Sequence, residues 1–148
     1  MKIHLALLPA LVAASLPAAA QEAPVFLPIH NVASIEATCA GALASARDAV
    51  ARLEAKPGGA GFFAEWNALQ VQLEDSLNPI SITQSTHPDK ATRAATEPCL
   101  QKYNAFSTEL YQDEKIYARI IDAKPANARE EKLKRNLIEG FEDSVCRH

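Results

Sequence analysis

The sequence predicts an all-α protein, about five helices in an antiparallel helical array, preceded by a cleaved signal peptide. Three observations carry that prediction. Apolar residues recur at steps of three and four along most of the chain, which is the period of one helix face. The 48% hydrophobic content is inflated by alanine while aromatics stand at 6%, and alanine has the best intrinsic helix propensity. Clusters of Pro, Gly and Asn separate the periodic segments, and these residues halt helices and start turns.

The chain divides into a signal peptide over 1–20, an extended lead-in over 21–33, a helical domain over 34–143 and a tail over 144–148. Met1 to His4 is a short positively charged start, Leu5 to Leu16 is apolar and uncharged, and Ala18-Ala19-Ala20 offers the small side chains a signal peptidase accepts. The apolar run is shorter than the roughly 20 residues needed to span a bilayer, which argues for cleavage over anchoring. The product is expected in the periplasm or secreted, with no membrane attachment after cleavage. Pro24 and Pro28 keep the lead-in extended.

In the first helix Ser34 is the expected N-cap, and Ile35, Cys39, Leu43, Ala46, Val50 and Leu53 form the stripe. Lys56-Pro57-Gly58-Gly59 ends it. The second helix reads from about Ala60 to Leu77, with Phe62, Phe63, Trp66, Leu69, Leu73 and Leu77 inward. Asn78-Pro79 is expected to terminate it, leaving Ile80 to Ser85 as a connection without clear periodicity. The third helix begins near Pro88-Asp89, where Asp suits the positive end of the helix dipole. Its stripe is Ala91, Ala95, Cys99, Tyr103, Phe106 and Leu110, with a kink expected at Pro98. Asp113 to Ala123 is the fourth helix, with Ile116, Ile120 and Ile121 inward. After a turn at Lys124-Pro125-Ala126-Asn127, the last helix runs from about Ala128 to Asp143 on Leu133, Leu137, Ile138 and Phe141.

The formal net charge of −3 describes a mildly acidic surface and argues against a nucleic-acid partner, which requires a basic face. Cys39, Cys99 and Cys146 show no paired metal-ligand spacing. They read first as buried small apolar side chains, with a Cys39–Cys99 bond as the alternative in an oxidising compartment. His30 and His87 belong to no zinc motif, and Gly58-Gly59-Ala60-Gly61 follows a helix rather than a strand, unlike a phosphate-binding loop. Cys146 and His148 sit at a chain end, a poor place to hold a nucleophile and its base. Glu130-Glu131 and Glu142-Asp143 read as solvated pairs, and Trp66, Phe62 and Phe63 as core. The expectation is therefore no catalytic, cofactor-binding or metal-ligating residue in this chain.

Asn78-Pro79-Ile80, Thr86-His87-Pro88-Asp89-Lys90, Arg93-Ala94-Ala95 and Cys99 resemble the N-terminal helical region of the thimet oligopeptidase and oligopeptidase A family of zinc metallopeptidases. The resemblance continues through Tyr103 to Phe106, Asp113 to Ile120 and Leu133 to Phe141. It implies a helical wall of a two-lobed peptidase whose zinc, held by H-E-x-x-H and a later Glu, activates water for peptide hydrolysis. None of those catalytic residues has a counterpart here, so the zinc belongs to full-length relatives. Val145-Cys146-Arg147-His148 departs from the family pattern, which suggests an early stop or frameshift in a longer gene. The readings that follow are an inert fragment of an exported peptidase, an independent periplasmic binding or interaction module, and an enzyme with an unrecognised site. Short peptides or the missing catalytic part are the expected partners.

Overall fold

The computed structural model describes residues 29–56 and 61–145, so the expected signal peptide, most of the lead-in and the end of the tail lie outside the described residues. Five helices follow in order: α1 Val32–Ala55, α2 Phe62–Thr86, α3 Lys90–Tyr111, α4 Glu114–Asp122 and α5 Ala128–Val145. Among the described residues there is no strand.

Cross-helix contacts give the directions. Lys56 pairs with Glu65, and Gln72 Nε2 donates to Ala42 O at 3.2 Å, so α1 and α2 run antiparallel. Cys39 joins Cys99, while Arg47 reaches Glu109 at 3.8 Å, so α1 and α3 run parallel. α4 and α5 form an antiparallel hairpin, with Tyr117 bonded to Glu142 and Lys134 bonded to Ile121 O and Ala123 O. This hairpin closes the end of the three-helix body where α1 finishes, α2 starts and α3 finishes. Arg119 Nε fastens it by donating to Glu54 O at 2.9 Å.

The core follows the predicted stripes. Ile35, Ala46, Ile80, Ile116 and Ile120 have no exposed surface, and Trp66 and Phe141 are 2% exposed. Burying a large apolar side chain contributes about 1.5–3 kcal/mol, so these residues set the helix faces.

Several expectations are corrected. α1 starts earlier than Ser34. Asn31 is the N-cap, and Ser34 completes a reciprocal capping box, with Ser34 N on Asn31 Oδ1 at 2.9 Å and Asn31 N on Ser34 Oγ at 2.8 Å. α2 starts at Phe62, after Gly61 in a left-handed conformation with φ 93°; a side chain there would be strained. α2 does not stop at Pro79 and continues to Thr86. An interior proline costs about 3 kcal/mol, but here Pro79, Ile80 and Thr83 are all buried and extend the stripe begun by Leu73 and Leu77. The Thr83 hydroxyl donates to Pro79 O at 2.8 Å. Tertiary burial therefore overrides the local break.

On α3, Ala91 is exposed, and Thr92 and Thr96 take the buried positions. Their hydroxyls are satisfied locally, by Asp89 Oδ2 at 2.7 Å and Arg93 O at 2.6 Å, which removes the cost of burying them. α3 runs through Pro98 as one helix. Ile121 on α4 is 44% exposed rather than inward. α5 extends to Val145, past the expected end at Asp143.

The largest correction concerns the cysteines. Cys39 and Cys99 are bonded, at a Cα–Cα distance of 5.8 Å and a sequence separation of 60. Both were predicted on inward faces, and the parallel course of α1 and α3 brings those faces together. A cross-link closing a loop of this length stabilises by about 4 kcal/mol in the chain-entropy model.

Two outcomes follow. The Cys39→Ala/Cys99→Ala variant should lose up to about 4 kcal/mol in urea unfolding, with the loss matched by reduction of the wild type. The Asp89 carboxyl caps α3, and its bonds from Thr92 hold it below the ordinary aspartate range. Its contribution to stability is therefore present at neutral pH and lost as pH falls through the lowered value. Carboxyl-carbon NMR should show that Thr92→Val moves the Asp89 titration upward.

Candidate functional site

An apolar concavity lies where α3 ends, α4 begins and α5 finishes. It has a volume of about 260 Å³ and is walled by Tyr111, Tyr117 and Phe141, with Gln112, Asp113, Glu114 and Glu142 around it. Clefts with apolar walls and a few convergent polar groups are the usual form of small-ligand sites.

Local chemistry positions each wall. α3 stops at Tyr111, and the Asp113 side chain then caps α4, its Oδ1 accepting from Lys115 N at 2.8 Å and Ile116 N at 2.9 Å. The two-residue break turns α4 away from α3 and leaves Tyr111 and Tyr117 on either side of the corner. Phe141 forms the floor. Its ring centroid lies 5.1 Å from Tyr111, 5.8 Å from Tyr117 and 6.3 Å from Trp66. Gly140 faces the Tyr111 ring, where an added Cβ would come to 3.4 Å of Cε1, so larger side chains would displace that wall.

Three carboxylates surround the rings, and among the described residues none in the lining is basic. The nearest lysine in sequence, Lys115, directs Nζ toward Glu54 on α1 at 3.4 Å. Tyr117 Oη donates to Glu142 Oε1 at 3.0 Å. This bond, with burial and the nearby negative charge, raises the Tyr117 hydroxyl above its ordinary value. Burial does the same for Tyr111, assisted by Tyr103. Both phenols are neutral donors at physiological pH.

The residues weighed in the sequence fall elsewhere. His30 is buried at the start of α1, with Nδ1 3.4 Å from Ser34 Oγ and Nε2 without a partner among the described residues. His87 Nδ1 accepts from Asp89 N at 3.1 Å in the α2–α3 turn. Cys146 and His148 lie outside the described residues. Trp66, Phe62 and Phe63 are core, as expected. Glu130 accepts from Ala126 N at 2.8 Å, and Glu131 pairs with Arg135 at 3.7 Å. Of the second acidic pair, Glu142 belongs to the cleft. Among the described residues no three of His, Cys, Asp and Glu gather as a metal-binding group, and no described helix is long and apolar enough to cross a membrane.

Sequence reasoning missed Tyr111, Tyr117 and the role of Glu142. The available signal was the pair of tyrosines flanking the Gln112-Asp113 break, each just off its helix's apolar stripe.

Replacing the carboxylate with a weaker, neutral acceptor by Glu142→Gln should lower the Tyr117 hydroxyl toward its ordinary value, observed by ultraviolet titration against Tyr117→Phe. Because the folded protein holds this phenol protonated, its contribution to stability exists below the unfolded value and disappears as pH rises through the folded one. The substitution should therefore lower stability at neutral pH, with the difference from the wild type vanishing as pH rises through the folded value.

No family model, no curated protein and no solved structure matches the chain.

Proposed function

We propose that this chain is an exported helical binding module, acting in the periplasm or as a secreted protein. The observation that carries this reading is how little apolar surface the helical body leaves for a missing partner domain. The large apolar side chains exposed among the described residues are Ile29, Val32, Val71, Ile82 and Ile121. They are spread over the segment before α1 and three helices. Val71 and Ile82 share a side of α2 but are separated along it by exposed Asp75 and Asn78. A helical piece cut from a larger body would present a contiguous apolar face. The Cys39–Cys99 bond supports the location, since disulfides persist in oxidising compartments.

A second reading keeps the peptidase resemblance: an inert helical portion of an exported zinc oligopeptidase. It is favoured by the α2–α3 corner, where several residues carrying the resemblance work as one unit. Pro79 and Ile80 pack in the core, Asp89 caps α3, and Arg93 Nη1 donates to His87 O at 2.5 Å and Pro88 O at 2.9 Å. These roles are structural, so this reading assigns the chain no hydrolysis of its own.

Sedimentation and thermal melting of the oxidised protein separate the two. The module should sediment as a monomer and unfold in one cooperative transition whose midpoint does not depend on protein concentration. Association or a broad, weak transition would favour the peptidase portion.

A further inference from the structure

We propose that the cleft between α3, α4 and α5 binds a small organic ammonium ion, seated on the rings of Tyr111, Tyr117 and Phe141 and neutralised by Glu114 and Glu142. The proposal rests on the module reading and names its ligand class.

The molecule already contains one such arrangement, complete with its cation. On the neighbouring side of the bundle Arg47 lies over the Phe106 ring, with Cζ 5.5 Å from the centroid, and pairs with Glu109 at 3.8 Å. That groove is lined by Arg47, Phe106, Glu109 and Glu54, so the protein's own guanidinium covers the ring and satisfies the charge. The α3–α4–α5 cleft has the same two ingredients, aromatic faces and carboxylates, without a basic residue in its lining among the described residues. Aromatic faces attract cations through their quadrupoles, and aromatic cages are the recurring solution for ammonium groups. Neutral ligands gain nothing from the carboxylates, and anions are repelled by them.

The hydrogen-bonding state of the rim sharpens the choice. Asp113 uses Oδ1 for the α4 cap, so it is a fixed negative charge more than a free acceptor. Glu142 Oε1 already accepts from Tyr117. Glu114 is exposed and makes no side-chain bond among the described residues. The rim therefore sets negative charge beside aromatic faces, and a methylated ammonium probes that pairing without N–H donors of its own. At about 260 Å³ the space falls below the usual range for drug-sized ligands, which points to a free small molecule.

Trp66 is the single tryptophan of the chain and touches both Tyr111 and Phe141 at 6.3 Å between centroids, so its fluorescence reports on the cleft. Oxidised protein at low ionic strength would be titrated with choline and, separately, with its neutral isostere carrying tert-butyl in place of trimethylammonium. The expected result is saturable choline binding, with the isostere weaker by roughly tenfold or more. Glu114→Gln/Glu142→Gln should reduce that preference severalfold while leaving the isostere unchanged. Tyr117→Leu should weaken both ligands, with the thermal transition reporting that the variant is folded. Equal binding of the two ligands, or a preference undiminished in the double Gln variant, would overturn the proposal. So would the absence of any saturable response. In each of these cases a monomeric, cooperative melt still leaves the module reading intact, so the two can fail separately.

Discussion

Phe141 touches an aromatic ring from each of three other helices: Trp66 of α2, Tyr111 of α3 and Tyr117 of α4. This cluster connects the short hairpin of α4 and α5 to the three long helices. α4 has only 9 residues, too few to be stable alone in water. Its persistence depends on burying Ile116 and Ile120 completely and on Phe141 anchoring its partner helix. Edge-to-face and tilted ring pairs add about 0.5–1.5 kcal/mol each beyond area burial, so four rings meeting at one point hold this end of the molecule firmly. The polar fastenings around them, Arg119 to Glu54 O and Lys134 to Ile121 O and Ala123 O, satisfy helix-terminal carbonyls that would otherwise lack partners. The cleft is the outer side of the same cluster. Its floor, Phe141, is core, and the half-buried Tyr111 and Tyr117 pack against that core.

The Cys39–Cys99 bond acts nearer the opposite end. It links α1 to α3 in the stretch where α3 begins with two buried threonines, Thr92 and Thr96, instead of large apolar residues. Threonines that spend their hydroxyls on Asp89 Oδ2 and Arg93 O fill space but bury less apolar area than leucine or isoleucine would. A covalent cross-link compensates for a lean interior, as it does in many small exported domains. The two ends of the body are thus secured differently, one by aromatic packing and one by a disulfide.

Much of this was legible from periodicity. The inward stripes of α1, α2 and α5, the placement of Asp89 at the positive end of α3 and the start of a fourth helix near Asp113 could all be read because each depends on residues within a turn or two of one another. The features that escaped depend on distant partners. Pro79 is a local stop signal, and only the burial of Ile80 and Thr83 against other helices keeps α2 going. The cysteine pairing required knowing that α1 and α3 run parallel, a fact set by how α2 returns between them. The cleft was hidden for the same reason. Tyr117 and Glu142 are 25 residues apart, and each looks like an ordinary surface residue of an amphipathic helix.

One local irregularity does point to the cleft. α5 begins as helix electrostatics favour, with Glu130 and Glu131 in its first turn, but its last turn contains no basic residue. It holds Glu142 and Asp143 instead, at the end where the helix dipole is negative and carboxylates are disfavoured. Sequences tend to break such local rules where something other than stability is selected. Asp143 has no partner among the described residues that would offset the cost. Glu142 has one, the Tyr117 hydroxyl, a bond that a neutral glutamine could also accept, though more weakly. What a glutamine could not supply is negative charge beside Tyr111, Tyr117 and Phe141. The unfavourable placement of Glu142 is therefore best explained by the electrostatics of the cleft it borders, a requirement that the fold alone does not impose.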